Sequence, residues 1–582
     1  MRKFFNISLA VLAASALLTS CNCFSKMMKK TAQGITVTCA PEVVTLKGDN
    51  AVTTVTVNVP AKVFHKYGVL KVTPVIVSAI DGQEFAGEPK FFQGEKVQDN
   101  YTVIPYSGGS FALEVAIPYN PSMRLSQLVF KAEAKCLKNG KKIKNFTEYK
   151  TPIVVANGVS SLQLMADNFA KVAIAPDAFQ RVTNISESAK IMFTINRSNV
   201  RSNQLAKEDI KALEDFIIAN SGDAKKTVGD VYTQAYASPD GPLALNDRLS
   251  KERGTSTQKA VSAKFKKDKM PVGTKFDVNA MGEDWDGFKE LVEASNIPDK
   301  ALILQVLSMY SDPQVRNREI KNMSAAFQVL ADKILPELRR SKMTVNVRVE
   351  GLTDAELREA VATDINKLNV EEMLFAATLY TDNATKARVY KAAAEKYNCY
   401  RGYNNLGVVL ANAGDYNAAK AAFLKAASLN NSDPNVINNL GVIALAEGKK
   451  AEAAKFFAVS SAPEAKYNKG LVELANGNYA AAARTLDGYN QALAELLNGN
   501  VAKAKQQLAG MNNWRANYVK AVIAAQEGNA DALVSNLRAA IAQNPQAAEL
   551  AATEVNFYNF FEHAQFVEIV KVKAKMKYEV AR

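Results

Sequence analysis

From residue 352 onward one local pattern recurs. NNLGVVLANAGDYNAAKAAFLKAASLN (404–430) returns as NNLGVIALAEGKKAEAAKFFAVSSA (438–462), with Gly407 and Gly441 34 residues apart and Gly414 and Gly448 at the same spacing. YNKGLVELANGNYAAAARTL (467–486) is a third copy after a shortened step of 29 residues, Gly448 to Gly477, and looser copies continue to about residue 545. One such unit cannot bury its apolar face alone, so neighbours must stack, and residues 352–582 are expected to form a separately folding α-helical solenoid. Gly407 and Gly441 predict close helix packing inside each pair, where a side chain would force the helices apart. NATKARVYKAAAEKYN (383–398) reads as a preceding, capping unit.

The 34-residue period and these glycines resemble tetratricopeptide (TPR) repeats. The resemblance implies a concave surface that takes peptides and recruits protein partners.

The chain opens with Arg2 and Lys3, an apolar run from Phe4 to Leu18, and LTSC (18–21). That ending resembles the lipobox of bacterial lipoproteins. It implies a signal peptide over 1–20, a diacylated Cys21 at the mature N-terminus, and a lipidated tether over 21–34. No later apolar stretch reaches the roughly 18 residues of a transmembrane helix, so the expected anchor is lipid in the outer membrane. The tether lacks the acidic residues that the resemblance associates with export to the cell surface, which favours a periplasm-facing placement.

Residues 35–155 alternate with the two-residue period of half-buried strands, as in VTTVTVNV and FALEVAIPY, and predict an Ig-like β-sandwich. LKNGKKIKN (137–145) reads as an exposed hairpin. Outside the cytoplasm Cys39 and Cys136, both in this domain, are candidates for a disulfide. There is no CxxC pair, and His65 and His563 are the only histidines, so neither a metal site nor a cofactor is expected. Lys plus Arg outnumber Asp plus Glu 72 to 58, but the lysines are dispersed and no nucleic-acid-binding signature accompanies them. No nucleic-acid partner is expected.

Around residues 185–351 the grammar changes. IMFTINRSNV (191–200) reads as a strand, QLAKEDIKALEDFIIAN (204–220) as a helix, and VYTQAYAS (231–238) as a strand; the turn SPDG and the helix LNDRLSKERG follow. TVNVRV (344–349) reads as the closing strand, 313–340 as a returning helix, and about 262–312 as a helical insertion. The order and the N-x-x-L-S-x-x-R pattern of Asn246, Leu249, Ser250 and Arg253 resemble the OmpA-like peptidoglycan-binding domain, with Gly254 where alanine is usual.

Asn246, Ser250 and Arg253 share one helical stripe, and a guanidinium fork there suits a carboxylate. The resemblance implies diaminopimelate of peptidoglycan as ligand, with an aspartate after the second strand for its ammonium group. Ser238 stands in that place and cannot neutralise an ammonium, a loss of about 1.5–3 kcal/mol. Asp240 follows two residues later, behind Pro239. Ligand binding by Ser238, Asp240, Asn246, Ser250 and Arg253, and a structural role tying turn to helix, are both open at this point.

These features predict a multidomain, non-enzymatic scaffold. It would be lipid-anchored at the outer membrane, its OmpA-like domain contacting peptidoglycan or a partner and its repeats recruiting proteins for envelope assembly. The alternative is a surface-exposed or pilus-associated binding lipoprotein with the sandwich as adhesive module. An enzyme using Glu283 and Asp284 as acid and base is disfavoured, because GEDW reads as a helix start with its acids at the positive end.

Overall fold

The computed structural model describes residues 35–137, 146–148, 152–270, 275–322 and 324–571. The chain divides into two compact units, one made of residues 1–176 and 393–582 and the other of 177–392. It is multidomain, with a sheet-rich N-terminal region and a helical C-terminal region.

The first unit begins with a sandwich. Its strands are β1 (Thr36–Lys47), β2 (Asn50–Val59), β3 (Gly68–Ser78), β4 (Glu84–Ala86), β5 (Lys90–Gly94), β6 (Thr102–Ile104), β7 (Gly109–Pro118), β8 (Ser126–Cys136), β9 (Thr147–Glu148), β10 (Ile153–Asn157) and β11 (Val159–Ser160). One sheet runs β11-β1-β2-β7; the other runs β10-β8-β3-β5-β6, with β4 on β3 and β9 on β8. Alternate residues of β2 (Ala51, Val55, Val57, Val59) enter a core shared with Ile76, Ile117 and Leu128, as a period of two requires. Most of the basic run 137–145 lies outside the described residues, as does Cys21.

The expected Cys39–Cys136 bridge does not form. Cys136 is disulfide-bonded and Cys39 is not. Cys39 sits opposite Val55 within the first sheet, its Sγ 3.0 Å from Thr53 Oγ1 on the neighbouring strand, while Cys136 ends β8 in the other sheet. The Cys39 thiol is engaged with Thr53 of its own sheet.

The repeats form helix pairs: Tyr400–Asn412 with Tyr416–Leu429, Pro434–Ala446 with Lys450–Val459, Pro463–Ala475 with Tyr479–Thr485, Gly488–Leu497 with Val501–Leu508, and Trp514–Gln526 with Ala530–Gln543. Each pair turns on a glycine at positive φ: Gly414, Gly448, Gly477, Gly499 and Gly528, a conformation that a Cβ disfavours. A Cβ on Gly407 would lie 2.6 Å from Phe423 Cε1, and one on Gly441 2.6 Å from Phe457 Cε1. Here the glycines remove bulk.

The solenoid is not the independent 352–582 body expected from the repeats. Residues 352–392 fall in the other unit, and Leu162, Met165 and Ala166, which follow the sandwich, are buried in the repeats' own core. Tyr479 Oη donates to Leu46 O of β1 at 2.6 Å. Sandwich and repeats make one folded body.

The second unit is built on strands β12 (Val182–Met192), β13 (Lys226–Ala237), β14 (Phe276–Glu283) and β15 (Arg340–Glu350), in the order β12-β15-β13-β14. β13 and β14 are parallel; β15 is antiparallel to both its neighbours. Three expectations are corrected. The first strand ends at Met192 and does not run through 191–200. Residues 276–283, assigned above to an insertion, are an edge strand of the sheet. The 313–340 stretch is broken into Pro313–Asn322, Ser324–Lys333 and a 3-10 turn, Leu335–Leu338.

The helix Leu243–Lys267 packs against β13 and β14 with no room at Gly254, where a Cβ would meet Val278 Cγ1 at 2.6 Å. Glycine fits that contact without a shift of the strand residue. No helix among the described residues is long and apolar enough to cross a membrane.

Candidate functional site

In the second unit, the end of β13, the turn after it and the Leu243–Lys267 helix enclose a cleft of about 230 Å³. Its lining includes Ile195, Ser238, Asp240, Leu245, Asn246 and Arg253. Four of the five residues singled out from sequence therefore converge. Ser250 does not line the cleft: it is 1% exposed and donates to Asp247 O of its own helix at 2.9 Å.

Arg253 is also 1% exposed. Its Nε donates to Arg197 O at 3.1 Å, Nη1 to Tyr236 O at 2.9 Å and Nη2 to Thr194 O at 3.4 Å, and the guanidinium lies 5.2 Å from the centre of the Phe193 ring. Burial, and then the neighbouring Arg339, pull its pKa down to about 10, against the attraction of Asp240. It remains charged at neutral pH, but much of its fork is spent on main-chain carbonyls. Asn246 donates to Gly241 O at 3.3 Å and to Glu283 Oε1 at 2.8 Å, so it ties turn, helix and β14 together.

Ser238 donates to Asp240 and accepts from Arg339 Nε at 3.2 Å. Asp240 forms an ion pair with Arg339 at 3.2 Å, and its carbonyl accepts from Lys321 Nζ at 2.9 Å. Arg339, which sequence reasoning did not single out, neutralises the carboxylate that a ligand ammonium would need. The remaining acidic candidates are held too. Glu283 accepts from Asn246 and from Trp285 Nε1 at 2.9 Å. Asp284 caps the Trp285–Ala294 helix through Gly287 N and pairs with Arg340 at 2.7 Å. Among the described residues no group of three or more His, Cys, Asp and Glu could hold a metal ion.

A second site in the first unit was not anticipated. Residues 167–175 lie along the first helices of successive pairs, held by buried asparagines. Asn405 Oδ1 accepts from Ala175 N at 2.9 Å and its Nδ2 donates to Ala175 O at 2.9 Å. Asn439 clamps Ala173 in the same way at 2.7 and 2.7 Å, Asn468 clamps Lys171 at 2.7 and 2.7 Å, and Asn490 clamps Asp167 at 2.8 and 2.7 Å.

Asn404 and Asn438 reinforce the row, donating to Ala173 O and Lys171 O at 3.0 Å each. Asn438 and Asn439 also bond to one another, and Asn439 to Asn404 and Asn468 to Asn438. Ala173 and Ala175 are fully buried, whereas Ile174 between them is 47% exposed. Lys171 Nζ reaches Asp487 at 2.9 Å and stands 3.9 Å from the centre of the Tyr467 ring. The face expected to take a partner's peptide holds the chain's own. The signal was present in sequence as an asparagine two residues before Gly407, Gly441 and Gly470.

Residues 400–433 match the tetratricopeptide repeat family model. No curated protein matches the chain. Among solved structures, one titled for Pseudomonas aeruginosa pilF is 16% identical, covering 36% of this chain and 98% of that one at a TM-score of 0.27. PilW, described as a widely conserved type IV pilus biogenesis factor, is 18% identical, covering 33% of this chain and 84% of its own at 0.21. YrrB, described as a TPR protein with an unusual peptide-binding site, is 18% identical, covering 32% and 91% at 0.20. Residues 400–433 are thus a tetratricopeptide repeat, a unit of protein–protein interaction scaffolds.

Proposed function

We propose that the chain is a non-enzymatic scaffold of the cell envelope, lipid-anchored through Cys21 to the outer membrane and facing the periplasm. In this reading the 177–392 unit, similar to OmpA-like domains, holds a carboxylate-bearing ligand of the peptidoglycan type, and the repeats provide the protein-binding platform. The observation that carries the ligand class is the charge balance of the cleft. Asp240, the one carboxylate among its lining residues, is already paired with Arg339, so Arg253 leaves a net positive site. Such a site favours an anionic group over the zwitterionic end of diaminopimelate.

Two measurements test this reading. The mature chain is expected to sediment with purified peptidoglycan, and Leu245→Glu, which puts a carboxylate at the cleft without removing Arg253, is expected to weaken retention at least tenfold. A wild-type chain that stays in the supernatant removes cell-wall binding. Separately, Cys21→Ala is expected to abolish fatty-acid labelling and release the chain from the membrane fraction. An unlabelled wild type defeats the anchor.

A further inference from the structure

We infer that the asparagine row of the repeats is a backbone-reading site for extended peptides, occupied in the resting protein by residues 167–175 as a resident ligand. Each of four amides grips both the N–H and the C=O of one residue, at Asp167, Lys171, Ala173 and Ala175. In an extended chain, N–H and C=O of alternate residues point to the same side, so clamps on 171, 173 and 175 require an extended ligand and tolerate no proline at those positions. Ala173 and Ala175 are buried to 0% and 1% exposure, which restricts the clamped positions there to small side chains. The clamped lysine is held by Asp487 and Tyr467. The ligand class is therefore an extended Lys-x-Ala-x-Ala peptide, read through its main chain.

In the folded chain these amides are buried beneath the segment, where each carries donors and an acceptor that need partners. The tethered segment meets that need at the high effective concentration of an intramolecular ligand, and so closes the row to peptides of the same pattern from other proteins. The inference rests on reading the repeats as a protein-binding module and is independent of wall binding by the other unit.

The test uses the full mature chain and a fluorescent peptide of residues 167–176, DNFAKVAIAP. Fluorescence polarisation is expected to show no binding to the wild type. It is expected to show saturable binding to a chain in which 167–175 is replaced by nine Gly and Ser residues, weakened at least tenfold when Asn439→Ala is added. A folded replacement chain that ignores the peptide, or that binds it equally well with Asn439→Ala, overturns the inference.

Should the replacement chain lose its helical circular dichroism, amide exchange on the intact chain decides. The Ala173 amide is expected to be protected in the wild type and to exchange at least tenfold faster in Asn439→Ala. Equal exchange in the two chains overturns the inference.

Discussion

Arg253 shows how a residue chosen for recognition can be committed to architecture. Its three main-chain bonds join the end of β13 to the stretch after β12, so Arg253→Ala leaves three carbonyls without their donor. We expect a loss of about 3–5 kcal/mol in the denaturant transition of the 177–392 unit. Arg253→Lys should recover little, since an ammonium cannot span three divergent acceptors. Glu356 offers a second measurement at this scale. It closes a capping box with Thr353 and bonds to Lys225 Nζ at 2.7 Å, and that bond, with those from Thr353, lowers its pKa to about 2. A depressed carboxylate contributes stability above its unfolded pKa, near 4.5, and loses it as pH falls toward 2. The melting difference between wild type and Glu356→Gln is therefore expected at pH 6–7 and should vanish progressively below about 4.5.

At the level of elements, apolar patterning exposes strands only where a face is buried. β2 alternates and was readable. β12 begins VTNIS, residues whose side chains are exposed, and β14 buries only Gly282; both are sheet edges, so these stretches carry little burial period to detect. Main-chain pairing to β15 and β13 makes them strands. The repeat helices are the opposite case, with glycines where bulk is forbidden. Gly441→Ala is expected to cost about 1–3 kcal/mol through overpacking against Phe457, seen as a lowered urea midpoint. An outcome within 0.3 kcal/mol of wild type would mean the pair can spread without penalty.

For the whole molecule, the 158–176 stretch matters most, because it joins the sandwich to the repeats and supplies part of their interior. A fragment of residues 352–582 is expected to be helical by circular dichroism but to unfold about 3 kcal/mol or more easier than the repeats in the full chain. It lacks Leu162 and Met165, each buried in that core and each worth about 1.5–3 kcal/mol. The 34-residue period and its glycines specify stacked helix pairs because spacing and side-chain size are local properties written along the chain. The stripe of Asn246 and Arg253 likewise named residues that meet at one cleft. What fills the asparagine row and what neutralises Asp240 depend on residues brought close from 99 to 323 positions away. Local periodicity carries no record of such pairings, since it reports which face of an element is buried and not what covers it.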